Sequence, residues 1–259
     1  MRKLILSLTG MALFALLASG CNSRGGGGTG PGTGGPFKIH GIFVRDANLT
    51  NDKDKAAFEL TRNDTLFNLA ALTIDTFKVD TTLFTTYYRQ SPPDYLRPGQ
   101  NHTIHLVYSS NTLDLTTSLF MPDSFRISNI IPANRLSTGG NGVQVEWTAS
   151  GNSTGYIVAI VHDSAALSSI IDTSFFPDFA TSTPVSPSAF QDANNQLRTG
   201  LYRIYLIAFR GGLLSFSGQP FPLPPNYSVA DTNYSLTVSG RIVSAFVADY
   251  DTIRVVTGP

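Results

Sequence analysis

The sequence predicts an all-β protein made of two tandem β-sandwiches, which follow an export signal and a glycine-rich linker. Charged side chains make up only 14% of the 259 residues, and the helix-favouring residues glutamate and lysine are few. Apolar and polar residues alternate over many short segments, as in strands with one buried face. A turn followed by an alternating strand also occurs twice, at residues 96–106 and 197–206. Repetition at this spacing indicates two copies of one domain.

Residues 1–20 have the features of an export signal. Arg2 and Lys3 give a positive start, and residues 4–18 form an apolar stretch too short to span a bilayer. Small residues then precede Cys21, the only cysteine of the chain. This arrangement resembles the lipobox of bacterial lipoproteins, where the signal is removed before the cysteine and the new N-terminus is acylated. The resemblance implies lipid attachment at Cys21, and an ordinary secretory signal is the alternative.

The residues after the signal predict a location and a linker. Asn22 stands where aspartate is associated with retention in the inner membrane, so the lipoprotein resemblance implies the outer membrane, facing the periplasm or the cell surface. Residues 21–36 are rich in glycine and have little to bury, which predicts a flexible linker. Residues 30–35 match G-x-G-x-x-G, but they lack the preceding strand and following helix that a dinucleotide site requires.

Two sandwiches are expected in the rest of the chain, at residues 37–122 and 123–259. Residues 55–61 alternate between apolar and polar side chains, as do residues 142–148. Residues 156–161 are apolar without interruption, which is expected of a strand near the middle of a sandwich.

The second copy resembles the fibronectin type III branch of the immunoglobulin-like folds. In that branch a strand with tryptophan precedes a strand that opens with tyrosine, and a glycine-containing turn later leads into a strand that begins with tyrosine. The residues in these roles here are Trp147, Tyr156, Leu197, Gly200, Tyr202, Ile204, Leu206 and Ala208. The first copy keeps Leu96, Pro98 and Gly99 but has His102 in place of tyrosine.

The C-terminal residues extend beyond a standard copy. After the proline-rich residues 220–225, further strands are expected at residues 234–238, 242–247 and 252–256. The strand at residues 202–209 is apolar on both faces, so its second face must be covered. We expect the C-terminal strands to pack on that face or to join the same sheet.

The sequence predicts no enzyme and no cofactor. Residues 151–155 match the G-x-S-x-G elbow of α/β-hydrolases, but they join two predicted strands rather than a strand and a helix. The order of a hydrolase triad requires an acidic residue between the serine and the histidine, and none lies between Ser153 and His162. A serine hydrolase that uses Ser153 therefore remains a remote alternative.

No metal site is predicted either. His102 and His105 are three residues apart on a strand, which places them on opposite faces. Residues 46–52 begin like an EF-hand loop, but Asn51 stands at the glycine position and Ala57 at the position of the final glutamate. A calcium-binding loop of another kind is the alternative there to a solvated turn.

Charge and aromatic residues indicate a binding function. Without Arg2 and Lys3 the chain has two more acidic than basic side chains and no basic stripe, so nucleic acid is not an expected partner. Aromatic residues in two loop-like segments are candidate ligand contacts, with capping of the sandwich ends as the alternative role. These residues are Tyr87, Tyr88, Tyr95, Phe175, Phe176 and Phe179.

We therefore expect a membrane-anchored, non-catalytic surface or periplasmic lipoprotein that binds or spaces a protein or glycan partner. A carbohydrate-binding accessory of a nutrient-uptake system is the alternative.

Overall fold

The computed structural model describes residues 36–50, 53–80, 87–90, 95–109, 113–133, 135–137, 142–163, 170–177, 180–192, 194–212 and 231–256, with the backbone alone at 87–90, 135–137 and 170–177. These residues form eighteen strands and one short 3-10 helix, Pro187–Phe190. The strands are Phe37–Asp46 (β1), Asp54–Arg62 (β2), Thr65–Leu66 (β3), Ala71–Ile74 (β4), Phe77–Val79 (β5), Tyr87–Gln90 (β6), Asn101–Tyr108 (β7), Leu113–Phe120 (β8), Ile127–Ile131 (β9), Arg135–Ser137 (β10), Val143–Trp147 (β11), Gly155–His162 (β12), Ile170–Pro177 (β13), Ser182–Val185 (β14), Gly200–Gly211 (β15), Thr232–Asn233 (β16), Val238–Val247 (β17) and Asp251–Val256 (β18). The predicted all-β fold class is confirmed.

The strands form three sheets. The large sheet has eleven strands, and its central order is β13-β12-β15-β17-β1-β2-β6. A four-stranded sheet has the order β5-β4-β7-β8, and a three-stranded sheet has the order β14-β11-β9. Both smaller sheets pack on the same face of the large sheet, which gives two sandwiches side by side.

Each sandwich has its own hydrophobic core. The first core joins β1, β2 and β17 to the four-stranded sheet, with Phe37 and Phe58 packed against Leu72, Ile104 and Leu106. The second core joins β12, β15 and β18 to the three-stranded sheet. Its centre contains Trp147 and Tyr156, whose rings lie 5.4 Å apart.

The C-terminal strands join the large sheet, which is one of the two arrangements that the sequence predicts. β17 and β18 both pair with β15, along the edge opposite β12. β17 also pairs in parallel with β1 at all ten positions, from Phe37 with Val238 to Asp46 with Val247. Val238 and Ile242 therefore lie in the first core, although the sequence places them in the second of the two predicted domains.

A third apolar cluster lies on the other face of the large sheet. Its buried members are Ile42, Val44, Ala57, Ile157, Ile207, Phe209, Val243, Ala245 and Val247. They alternate along each strand with residues of the two cores, which explains why β15 and β17 are apolar on both faces.

Gly41 allows β1 and β2 to pack closely. A Cβ atom at this position would lie 1.9 Å from Cδ1 of Phe58, the residue that pairs with Gly41 across the sheet. The buried Phe58 ring thus occupies the space that any other side chain would need.

Among the described residues, no helix has the length and apolar character needed to cross a bilayer.

Candidate binding site at the bulge between β17 and β18

A bulge interrupts the pairing of β15 with the C-terminal strands. Val247 of β17 pairs with Ile207, and Asp251 of β18 pairs with Ile204. Residues 248–250 therefore lie opposite only two residues of β15. Such bulges bend a strand and redirect a side chain, and they are frequent near functional sites.

The side chain of Asn48 holds this bulge in place. Its Nδ2 donates to the backbone oxygen of Ala248 at 2.9 Å, and its Oδ1 accepts from the backbone N–H of Tyr250 at 2.7 Å. Asp46 Oδ1 in turn accepts from Nδ2 and from the backbone N–H of Asn48, at 2.8 and 2.9 Å. Asn48 thus satisfies backbone groups that the bulge withdraws from the sheet.

Asp46 is partly buried beneath this arrangement. Burial raises the pKa of its carboxyl group above the ordinary value, and the hydrogen bonds from Asn48 oppose the increase.

Tyr250 contacts two side chains on the outer face of β15. Its ring lies 5.4 Å from the ring of Tyr205, and the guanidinium carbon of Arg203 lies 4.9 Å from its centre. Arg203 also forms an ion pair with Asp163, and the two side chains are 17% and 30% exposed. We call Asp163, Arg203, Tyr205 and Tyr250 the tyrosine–arginine site.

The tyrosine–arginine site has side chains suited to binding a ligand. Tyrosine rings stack against flat apolar surfaces, and a guanidinium beside a carboxylate offers donors and acceptors to polar groups. Burial raises the pKa of the Tyr205 hydroxyl, and its hydrogen bond with Arg203 opposes the increase. The hydroxyl therefore stays protonated near neutral pH. Across the described part of the chain, no three His, Cys, Asp or Glu side chains are grouped to hold a metal ion.

One predicted ligand contact is wrong. Tyr95 is only 6% exposed, and its ring packs 5.0 Å from the ring of Phe77. Burial raises the pKa of its hydroxyl well above the usual range. Phe77 begins β5, and its packing against Tyr95 removes that ring from the surface.

Four of the other predicted aromatic contacts lie in strands rather than in loops. Tyr87 and Tyr88 belong to β6, and Phe175 and Phe176 belong to β13. These strands pair with β2 and β12 at the two sides of the large sheet. The structure describes only the backbone of these four residues. Phe179 and Cys21 lie outside the described residues.

Ser153 and His162, the serine and histidine of the remote hydrolase alternative, lie at opposite ends of β12. Ser153 is in the turn between β11 and β12, where its Oγ donates to the backbone oxygen of Ser150 at 2.9 Å. His162 ends the eight-residue strand β12, about 23 Å from the beginning of that strand. Its Nε2 lies 3.3 Å from the backbone oxygen of Thr199.

The repeated turn has the same side-chain contact in both sandwiches. In the second, the hydroxyl of Tyr202 donates to the backbone oxygen of Arg198 at 3.0 Å. In the first, Nε2 of His102 lies 3.3 Å from the backbone oxygen of Arg97. His102 therefore replaces the tyrosine structurally, and it is buried while His105 is not, as the strand spacing predicts.

Comparisons with known proteins give only distant likenesses. No protein-family model and no curated protein matches the chain. Among solved structures, the FN1–FN3 domains of chicken CNTN1 are 11% identical with a TM-score of 0.25, and the match covers 85% of this chain and 66% of that one. The BSP domain of a biofilm-associated protein is 13% identical with a TM-score of 0.25, and the match covers 86% of this chain and 30% of that one.

Proposed function

We propose that the protein is a membrane-anchored, non-catalytic lipoprotein of the cell surface or periplasm, which binds or positions a partner. The observation that carries the proposal is the sharing of β17 between the two sandwiches. It pairs with β1 in the first and with β15 in the second, so the sandwiches form one stiff unit. A stiff unit on an acylated, flexible linker keeps a bound partner within reach of a bilayer.

The anchor is tested by the mass of the protein extracted from membranes of its host. We expect a chain that begins at Cys21 and carries acyl groups. Cys21→Ser should remain unprocessed and unacylated. An extracted protein with an unmodified Cys21 would contradict the proposal.

A carbohydrate-binding role is the second candidate, and the tyrosine–arginine site favours it. Sugar rings present apolar faces to aromatic rings and hydroxyl groups to charged side chains. The site combines both kinds of partner within one cluster.

This role is tested by retention of the whole protein on a panel of polysaccharides. Tyr250→Ala should weaken retention about tenfold if stacking contributes about 1.4 kcal/mol. Phe120→Ala is the matched control, because Phe120 is 39% exposed and also lies under an arginine, Arg210, at 5.6 Å. Equal losses in both variants, or no retention of the parent protein, would remove this candidate.

A further inference from the structure

Three exposed leucines are found in the first sandwich, one at the end of the two-residue strand β3 and two in connections between strands. Leu66, Leu69 and Leu236 are 48%, 66% and 94% exposed. They are half of the six large apolar side chains that are exposed in the described part of the chain. Scattered apolar side chains are normal at a surface, but a group at one place indicates contact with another apolar phase.

The three leucines lie at the end of the sandwich where the linker enters. Phe37 begins β1 directly after the linker, and it pairs with Arg62 and Val238. Leu236 is two residues before Val238, and the backbone N–H of Phe37 donates to the oxygen of Thr237 at 3.1 Å.

The other two leucines flank a ring that contacts Phe37. Phe67 directly follows Leu66 and is two residues before Leu69. Its ring is 5.5 Å from the ring of Phe37. We call the surface formed by Leu66, Leu69 and Leu236 the leucine end.

We propose that the leucine end docks into the lipid bilayer to which the chain is anchored. This inference rests on the proposed acylation of Cys21. The linker leaves only 15 residues between Cys21 and Phe37, which reach at most about 50 Å. Phe37 is therefore joined to the proposed anchor by a shorter stretch of chain than the rest of the folded part, and the exposed leucines lie near Phe37.

A bilayer fits the leucine end better than a charged partner does. Leucine side chains gain by leaving water for the boundary between headgroups and acyl chains. Lys38, the nearest exposed cation in β1, is neutralised by Asp64 at 3.1 Å. Arg62 of β2 is also exposed here, and its guanidinium carbon lies 5.4 Å from the centre of the Phe37 ring. Docking is therefore expected on zwitterionic lipid, and anionic lipid should strengthen it modestly.

The test uses the acylated full chain in phosphatidylcholine vesicles with brominated acyl chains, which quench tryptophan on contact. Leu236→Trp places a reporter at the leucine end. Trp147, the only native tryptophan, is 3% exposed in the second core and supplies a constant background. We expect about a twofold loss of the Trp signal at position 236, since interfacial groups lie roughly 5–10 Å deep.

Two controls locate the contact. Thr50→Trp places the reporter beyond the opposite end of the ten-residue β1, where no quenching is expected. Adding Leu66→Ser and Leu69→Ser to the Leu236→Trp protein should reduce the quenching. Adding Ile131→Ser instead, at an exposed apolar residue of the three-stranded sheet, should not.

The outcomes separate docking from anchoring. If the protein floats with the vesicles but the reporter at 236 is not quenched, the anchor stands and docking is wrong. If the protein does not float, both proposals fail. A blue shift of the reporter that grows with protein concentration in the absence of vesicles would assign the leucine end to a second copy of the chain and overturn membrane docking.

Discussion

Replacement of Asn48 by alanine tests whether the bulge and the tyrosine–arginine site depend on one side chain. Asn48→Ala removes three hydrogen bonds: two donated by Nδ2, to Ala248 and Asp46, and one accepted by Oδ1 from Tyr250. No other described hydrogen bond satisfies the backbone N–H of Tyr250. The substitution should therefore destabilise the fold and loosen Tyr250.

The size of the effect follows from the number and burial of these bonds. Each partly buried hydrogen bond contributes about 0.5–1.5 kcal/mol, so the free energy of unfolding should fall by about 2–4 kcal/mol. For a chain of this size, each kcal/mol lowers the Tm by about 2–4 °C. Binding of any ligand at the tyrosine–arginine site should weaken together with stability.

Urea denaturation followed by Trp147 fluorescence measures the loss, because Trp147 is buried in the second core. Asn129→Ala is the matched control. Asn129 makes one exposed hydrogen bond, to Glu146 at 3.2 Å, and its loss should cost less than about 0.5 kcal/mol. If Asn48→Ala costs no more than this control, the bulge does not depend on Asn48.

Three further substitutions test the packing and the charges. Asp46→Asn should gain stability relative to the parent between about pH 4 and pH 7, measured by denaturation at both pH values. The reason is that the pKa of Asp46 is higher in the folded state than in the unfolded state. The contribution to stability is fully present when the pH is below the ordinary pKa of aspartate, and it is lost as the pH rises through the folded-state pKa. A constant difference would contradict the burial of the charge. Gly41→Ala should cost about 1–3 kcal/mol through its clash with Phe58, and less in a Phe58→Leu background. Equal costs in the two backgrounds of this double-mutant cycle would refute the clash. Tyr202→Phe should cost about 1–2 kcal/mol by leaving the oxygen of Arg198 without its hydroxyl donor. No change in the urea midpoint would show that this bond contributes nothing.

The candidate site was only partly accessible to sequence reasoning. The alternation along β15 places Tyr205 opposite the core set, so its outward direction is predictable from local pattern. The contact with Tyr250 is not, because it depends on a bulge of one residue and on the register of β17 and β18 against β15. Asn48 was missed for the same reason, since its partner Ala248 is 200 residues away in the chain.

Tyr95 shows how a reasonable surface prediction becomes wrong. Prolines and aspartate near it indicate a loop, and a loop residue is commonly exposed. Phe77 then packs against the ring, a contact between residues whose adjacency no local pattern encodes.

The sequence by itself determined that the chain is all-β, which residues of β2 and β11 share a face, and that β15 needs cover on both faces. Each follows from alternation and turn residues, which act between neighbours in the chain. Only the tertiary structure decided that β17 lies between β1 and β15 and joins two sandwiches through one sheet. Strand pairing is made by identical backbone groups, so the choice of partner depends on how the side chains of distant strands fill a common core.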